Sequence, residues 1–252
     1  MNRIAFITGA TAGIGEACAV KFASNGYDLV LTGRREERLQ KLSDRLQKEH
    51  GIRCQTLCFD VRDRSAVEAA WNSLSEEWKQ VDLLLNNAGL ALDKSPIQDN
   101  DPDDWDVMID TNVKGLLYMS RMIMPVMIAR KQGHIINLGS IAGREVYAGG
   151  SVYCASKFAV EAISRSMRID LLQHKIRVTS ISPGLVETEF SVVRFKGDQA
   201  KADAVYTDYE PLVAVDIAES VYWAASQPPH VCINDILLTC TAQADSRTLY
   251  RG

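Results

Sequence analysis

The chain has 252 residues, 46% of them hydrophobic and 24% charged, which is the balance of an ordinary soluble globular protein. A net charge of -4 and a pI near 5.6 give no electrostatic reason to expect nucleic acid or an anionic membrane as partner. Residues 1–7 run straight into a glycine turn without the apolar segment of a signal peptide, and no apolar run reaches the roughly 18 residues of a membrane span, so a soluble, cytoplasmic protein is expected.

In chain order, apolar runs predict strands over 3–8, 28–32, 54–60, 82–86, 134–138, 177–182 and 235–240. Amphipathic stretches between them predict helices over 13–25, 36–49, 64–77, 102–130, 151–173 and 216–226. This alternation is the rhythm of βαβ units and a parallel sheet. Most strand candidates are continuously apolar, as expected of strands covered by helices on both faces. The expectation is a doubly wound α/β fold forming a single domain over 1–252.

Local signals refine that picture. Asp101 followed by Pro102 reads as an N-cap and first helical position. Pro125 is expected to kink that long helix or end its main part. The stretch 186–211 has no clear periodicity, and unpatterned loops of that length are usually functional lids or disordered. The run YMSRMIMPVM is expected to pack against other helices, in the core or at a subunit interface. Cys18, Cys54, Cys58, Cys154, Cys232 and Cys240 form no C-x-x-C pair, and no His cluster accompanies them. They are expected to be buried reduced thiols, with no metal site.

The first strand ends in ITGATAGIG, where Gly9, Gly13 and Gly15 lie between strand and helix. Glycines there permit a tight turn and let backbone approach a pyrophosphate at a helix N-terminus. No Gly-Lys-Ser/Thr follows, which excludes a phosphate-transfer P-loop. About 19 residues past Gly15, the end of the second strand carries Arg34 and Arg35 and lacks an acidic residue. An acid there would bond the ribose hydroxyl of NAD, whereas arginine accommodates the 2′-phosphate of NADP, so NADP is the expected cofactor.

Farther along, Tyr153 and Lys157 are spaced to share one helical face. A cation near a phenol favours the phenolate, so Lys157 is expected to draw the pKa of Tyr153 down toward working pH. Such a tyrosine suits proton exchange with an alcohol or carbonyl oxygen.

With these pieces in order the chain resembles the short-chain dehydrogenase/reductase family over nearly its whole length. The resemblance rests on TGATAGIG at 8–15, Asp60–Val61, NNAG at 86–89, Asn112, Ser140, Tyr153-x-x-x-Lys157, and Pro183–Gly184 with Thr188. It implies a Rossmann fold with a seven-stranded, mostly parallel sheet. It also implies a catalytic set of Asn112, Ser140, Tyr153 and Lys157. Thr11 and Ile14 would join the glycines at the cofactor, and Asp60 and Val61 would contact the adenine. Asn86, Asn87, Ala88 and Gly89 would line the adenosine side and support the sheet. Pro183, Gly184, Val186 and Thr188 would face the nicotinamide.

Within the family, GLALDKSP, SIAGREVYAGGSVY and PGLVETEFSVVRFKGD resemble the NADP-dependent 3-hydroxy acid dehydrogenases. That implies action on L-allo-threonine, serine and 3-hydroxypropionate-type acids, or on malonic semialdehyde. A small acid needs a cation for its carboxylate, ideally a guanidinium. Arg194 is the first candidate and Arg144 the second, with Glu187 and Phe190 as further lining. A reductase for another carbonyl, such as a 3-oxoacyl thioester or a ketone, is the main rival reading. A non-catalytic NADP-binding sensor or scaffold is the rival from another class. The resemblance further implies a homotetramer in which the tail TAQADSRTLYRG packs on neighbouring subunits.

Overall fold

The computed structural model describes residues 2–252. Seven strands form one sheet: β1 (Ile4–Ile7), β2 (Asp28–Gly33), β3 (Cys54–Cys58), β4 (Val81–Asn86), β5 (Gly133–Leu138), β6 (Ile176–Pro183) and, after two short strands, β9 (Asp235–Leu238). Their order is β3-β2-β1-β4-β5-β6-β9, and every pair is parallel. The order reverses between β1 and β4, which opens a crevice at the carboxyl ends of the strands.

Burial explains why these segments are strands. All four residues of IAFI in β1 are buried, so β1 is covered on both faces. Ala5 and Ile7 face one apolar layer with Leu29, Leu31, Leu85 and Phe22. Ile4 and Phe6 face the other with Val30, Leu84, Ile135 and Met119. Each fully buried leucine or isoleucine contributes roughly 1.5–3 kcal/mol through removal from water.

Helices fill both layers: α1 (Gly13–Ala23), α2 (Glu36–His50), α3 (Arg64–Ser73), α4 (Pro102–Ile109), α5 (Leu116–Arg130) and α6 (Ser151–Asp170), with α9 (Ala214–Ser226) preceding β9. The interval 186–211 is partly ordered rather than patternless. It carries β7 (Val186–Glu187), α7 (Glu189–Arg194) and α8 (Gln199–Asp203), and β7 pairs with β8 (Leu212–Val213).

The expected long helix over 102–130 breaks at a place other than Pro125. Residues Asp110–Gly115 form a π-helical segment between α4 and α5, and Pro125 lies inside α5. The cause is tertiary: Asn112 Nδ2 donates to Leu90 O at 2.8 Å, and Asn112 Oδ1 accepts from Leu90 N at 2.8 Å. Widening the helix by one residue per turn lets that side chain turn toward the loop after β4, a common use of π-bulges.

All six cysteines are free, but only Cys18, Cys154 and Cys240 are buried; Cys54 is half-buried, and Cys58 and Cys232 are exposed. The last two lie near sheet edges, where strands lose cover. No helix among the described residues is long and apolar enough to cross a membrane.

Candidate active site

The carboxyl ends of β1, β4, β5 and β6 open onto one cleft. At its floor the glycine turn after β1 approaches the loop after β4 so closely that side chains are excluded. A Cβ on Gly15 would stand 2.3 Å from Gly9 O and 2.5 Å from Asn87 Nδ2. Gly9 has φ +67, a left-handed conformation that glycine adopts without strain. Asn87 ties the two loops together, donating through Nδ2 to Thr8 O at 2.9 Å and Gly9 O at 3.1 Å. Thr8 Oγ1 accepts from the backbone of both Asn87 and Ala88 at 2.9 Å. Asn86 points the other way, bridging to Ser120 and Asn137 inside the sheet layer.

The expected cofactor residues Gly9, Thr11, Gly13, Ile14, Arg34, Arg35, Asp60, Val61, Asn87, Ala88, Gly89, Pro183, Gly184, Val186 and Thr188 line this cleft. Gly15 lies just beneath it and is buried. Arg34 and Arg35 stand at one end. Arg34 comes within 3.8 Å of Asp60, which is held more closely by Arg62. Arg35 donates through Nε and Nη2 to Thr11 Oγ1 at 3.1 and 2.9 Å, and through Nη1 to Glu189 at 2.8 Å. Arg38, one helical turn on, holds the other oxygen of the same carboxylate at 2.7 Å. The glycine cradle and two exposed guanidiniums suit an elongated anionic ligand with a phosphate at that end.

Tyr153 and Lys157 line the opposite end on α6, with Ser140 at the carboxyl end of β5. Lys157 Nζ donates to Leu138 O at 2.8 Å. A Cβ on Gly89 would lie 3.2 Å from Asn112 Oδ1 and 3.6 Å from Lys157 Nζ, so Asn112 and Lys157 meet around that glycine. Asn112 also donates to Ser156 Oγ at 3.0 Å, which fixes the π-segment against α6. All four expected catalytic residues are therefore brought together.

Their electrostatics differ from the expectation. Burial pushes the Tyr153 phenol up, and the neighbouring Tyr147 adds to this; the Ser140 hydroxyl and Arg194 work against it. Lys157 lies 5.9 Å from the centre of the Tyr153 ring. At that range its charge does not overcome desolvation of the phenolate. Burial also lowers Lys157, to about 8, opposed by the Glu161 carboxylate.

The two candidate arginines part company. The Arg194 guanidinium lies 5.4 Å from the ring centres of both Tyr153 and Tyr147. It also donates to the Tyr147 hydroxyl and, at 3.4 Å, to Asp93 O. It stands just behind the cleft lining, where Phe190 and Val193 from α7 come forward. Phe190 packs on Tyr153 with ring centres 5.8 Å apart. Arg144 does not reach the cleft; it turns to Asp235, 3.3 Å away. The 3₁₀ turn Ile141–Gly143 carries Arg144 past Ser140 and toward β9. Glu187 is exposed and lies outside the lining.

Sequence reasoning overlooked Tyr147, Glu189 and Arg38. Arg38 carried a signal, since it follows Arg34 by one helical turn. Tyr147 and Glu189 depend on contacts across 47 and 154 residues, for which the sequence has no local mark.

Comparison with known proteins accords with this geometry. The family profile for short chain dehydrogenases matches residues 3–199. The NADP-dependent 3-hydroxy acid dehydrogenase of Salmonella typhi is 48% identical over 96% of both chains. Sulfoacetaldehyde reductase 2 of Chromohalobacter salexigens is 46% identical over 97% of this chain and 96% of the relative. Among solved structures, the closed form of serine dehydrogenase complexed with NADP+ superposes with a TM-score of 0.91 at 46% identity. That likeness covers 99% of this chain and 97% of the other.

Proposed function

We propose, since the chain belongs to the short-chain dehydrogenase family, that it transfers hydride between NADP(H) and a small 3-hydroxy acid or its aldehyde acid. The whole chain, 1–252, acts as one NADP-binding domain in this reading. The observation that carries it is a single cleft with Arg34 and Arg35 at one end and Tyr153, Lys157 and the nearby Arg194 at the other.

The bound cofactor supplies the hydride. Arg34, Arg35 and Thr11 would hold its 2′-phosphate, the glycine turn would admit its pyrophosphate, and Pro183, Gly184, Val186 and Thr188 would line the nicotinamide end. Tyr153 gives its proton to the carbonyl oxygen during reduction and takes it back during oxidation. Burial keeps that proton on the phenol until it is needed. Ser140 donates a hydrogen bond to the same oxygen where negative charge develops. Lys157 stabilises the tyrosine as it loses its proton, and Asn112 holds the π-segment that positions Lys157. Arg194 takes the substrate carboxylate, a charge-assisted pairing that an uncharged alcohol lacks.

Sulfoacetaldehyde carries a sulfonate where malonic semialdehyde has a carboxylate, so the sulfoacetaldehyde reductase relatives support a second anion for the same arginine. The test is the rate of NADP+ reduction with L-allo-threonine, serine, 3-hydroxypropionate, a hydroxy sulfonate and an uncharged alcohol of similar length. The anionic substrates should give the higher kcat/KM. A preference for the uncharged alcohol, or for bulky ketones in reverse, would sink the substrate assignment.

The reading also includes a cytoplasmic homotetramer. Leu117, Phe158, Ile169 and Leu172 are exposed on or next to α5 and α6, as are Val215 and Trp223 on α9 and Leu237 on β9, which supports burial against other subunits. The C-terminal tail folds against its own chain, with Arg251 donating to Val205 O at 3.1 Å. Sedimentation should give four times the chain mass of 27.9 kDa; a monomer would contradict the assembly.

A further inference from the structure

Glu161 is a buried carboxylate, 4% exposed, that the chemistry above leaves unused. It lies one helical turn beyond Lys157 and two beyond Tyr153 on α6, so the three share a face. Its Oε1 accepts from Ser180 Oγ at 2.5 Å and from Ser182 Oγ at 2.9 Å. Its other oxygen, Oε2, is buried with no hydrogen-bond partner. Among the described residues, no arginine, lysine or histidine forms a salt bridge with it.

The segment 138–143 wraps around Lys157 and Glu161 together. Leu138 O holds Lys157 Nζ at 2.8 Å. At the next residue, a Cβ on Gly139 would stand 3.1 Å from Glu161 Oε1. A Cβ on Gly143 would stand 2.7 Å from Lys157 O and 3.2 Å from Glu161 Cγ. The same segment carries Ser140, and Ser180 and Ser182 lie on the strand that ends at Pro183. The carboxylate thus sits between the segment that carries Ser140 and the strand that ends at Pro183.

We propose that Glu161 is a positioning residue whose carboxylate is the counter-charge of the Lys157 ammonium, aimed by Ser180 and Ser182 of β6. The proposal rests on the reading of Tyr153 and Lys157 as the proton-transfer pair. Burial alone works against the ammonium, and the Glu161 carboxylate opposes it, leaving Lys157 at about 8. The other groups around Lys157 are the Tyr153 phenol on α6, neutral Asn112 on the π-segment, and Leu138 O with Ser140 at the end of β5. Arg194 on α7 stands beyond the tyrosine ring, and Asp104 on α4 is engaged by Lys196 at 2.8 Å. Asp110 and Lys114 of the π-segment pair with each other at 2.8 Å on its exposed side. Glu161 is therefore the buried carboxylate on these elements left without an ion-pair partner, one helical turn from Lys157 and more than 4 Å from its ammonium.

The test is the pH profile of kcat/KM for aldehyde reduction at saturating NADPH. Glu161→Gln keeps the shape and removes the charge. Its alkaline limb should move down by roughly one pH unit, the scale of a close opposite charge. That leaves about tenfold less activity than wild type above the limb, and near-equal activity on the acid plateau. Glu161→Asp should restore the limb. If Glu161→Gln does not fold, the paired substitution Ser180→Ala with Ser182→Ala should move the limb the same way by a smaller amount. An unmoved limb, whether with equal loss at every pH or with none, overturns the proposal and leaves Glu161 a packing residue. Wild-type turnover by Tyr153→Phe would instead overturn the proton-transfer reading on which the proposal rests.

Discussion

Tyr153→Phe should lower kcat by about 10²–10⁴-fold, the range contributed by one well-placed general acid or base, while NADPH still binds. The phenylalanine ring keeps the contacts with Phe190 and Arg194 and loses only the hydroxyl. Nucleotide titration followed by fluorescence, beside steady-state turnover, separates the two effects. Retained turnover would refute the proton-donor role; lost NADPH binding would show that the ring is needed for the cofactor instead. The sign of the pH dependence follows from the same site. Burial holds the phenol proton on, whereas Lys157 loses its charge as pH rises through about 8. Reduction should therefore be fastest below that point and fall above it.

Arg194→Ala should raise KM for anionic substrates by about 10–100-fold, the equivalent of one or two charge-assisted hydrogen bonds. An uncharged aldehyde should show little change in KM. The comparison matters because Arg194 also braces the site, through the Tyr147 hydroxyl and Asp93 O. Losing that brace would affect both substrates alike. Arg194→Lys should recover only part of the affinity, since an ammonium cannot make the paired contacts of a guanidinium. Equal losses for charged and uncharged substrates would move the anion site away from Arg194.

Most strands were legible because they are apolar along much of their length and covered on both faces; IAFI in β1 is the plainest case, whereas the edge strand β3, CQTLC, is partly exposed. The glycine turn was equally legible, since Gly9 and Gly15 answer to close approaches that no other residue permits. Tyr153 and Lys157 could be paired because helical spacing is a local property. The π-segment at Asp110–Gly115 was hidden because it is stabilised by Asn112 reaching back to Leu90 in the loop after β4, a contact with no local pattern. The short helices α7 and α8 were hidden for a similar reason. A helix of five or six residues has little intrinsic stability and forms only where the surrounding chain supports it.

Charges were harder to read than shape. The sequence put Arg194 ahead of Arg144 on position alone, and only the fold sends Arg144 to Asp235 and Arg194 to Tyr153. The expected lowering of the Tyr153 pKa failed because spacing on a helix says nothing about desolvation. Glu189 shows the same gap, since it bridges Arg35 and Arg38 from the far side of the cleft.

The proposed function turns on one cleft with Arg34 and Arg35 at one end and Arg194 beside Tyr153 at the other. The most direct test is the initial rate of oxidation of NADPH and of NADH with malonic semialdehyde, measured in parallel. Turnover should be rapid with NADPH, with a far lower kcat/KM for NADH. Turnover with NADH alone, or none with either, would contradict it.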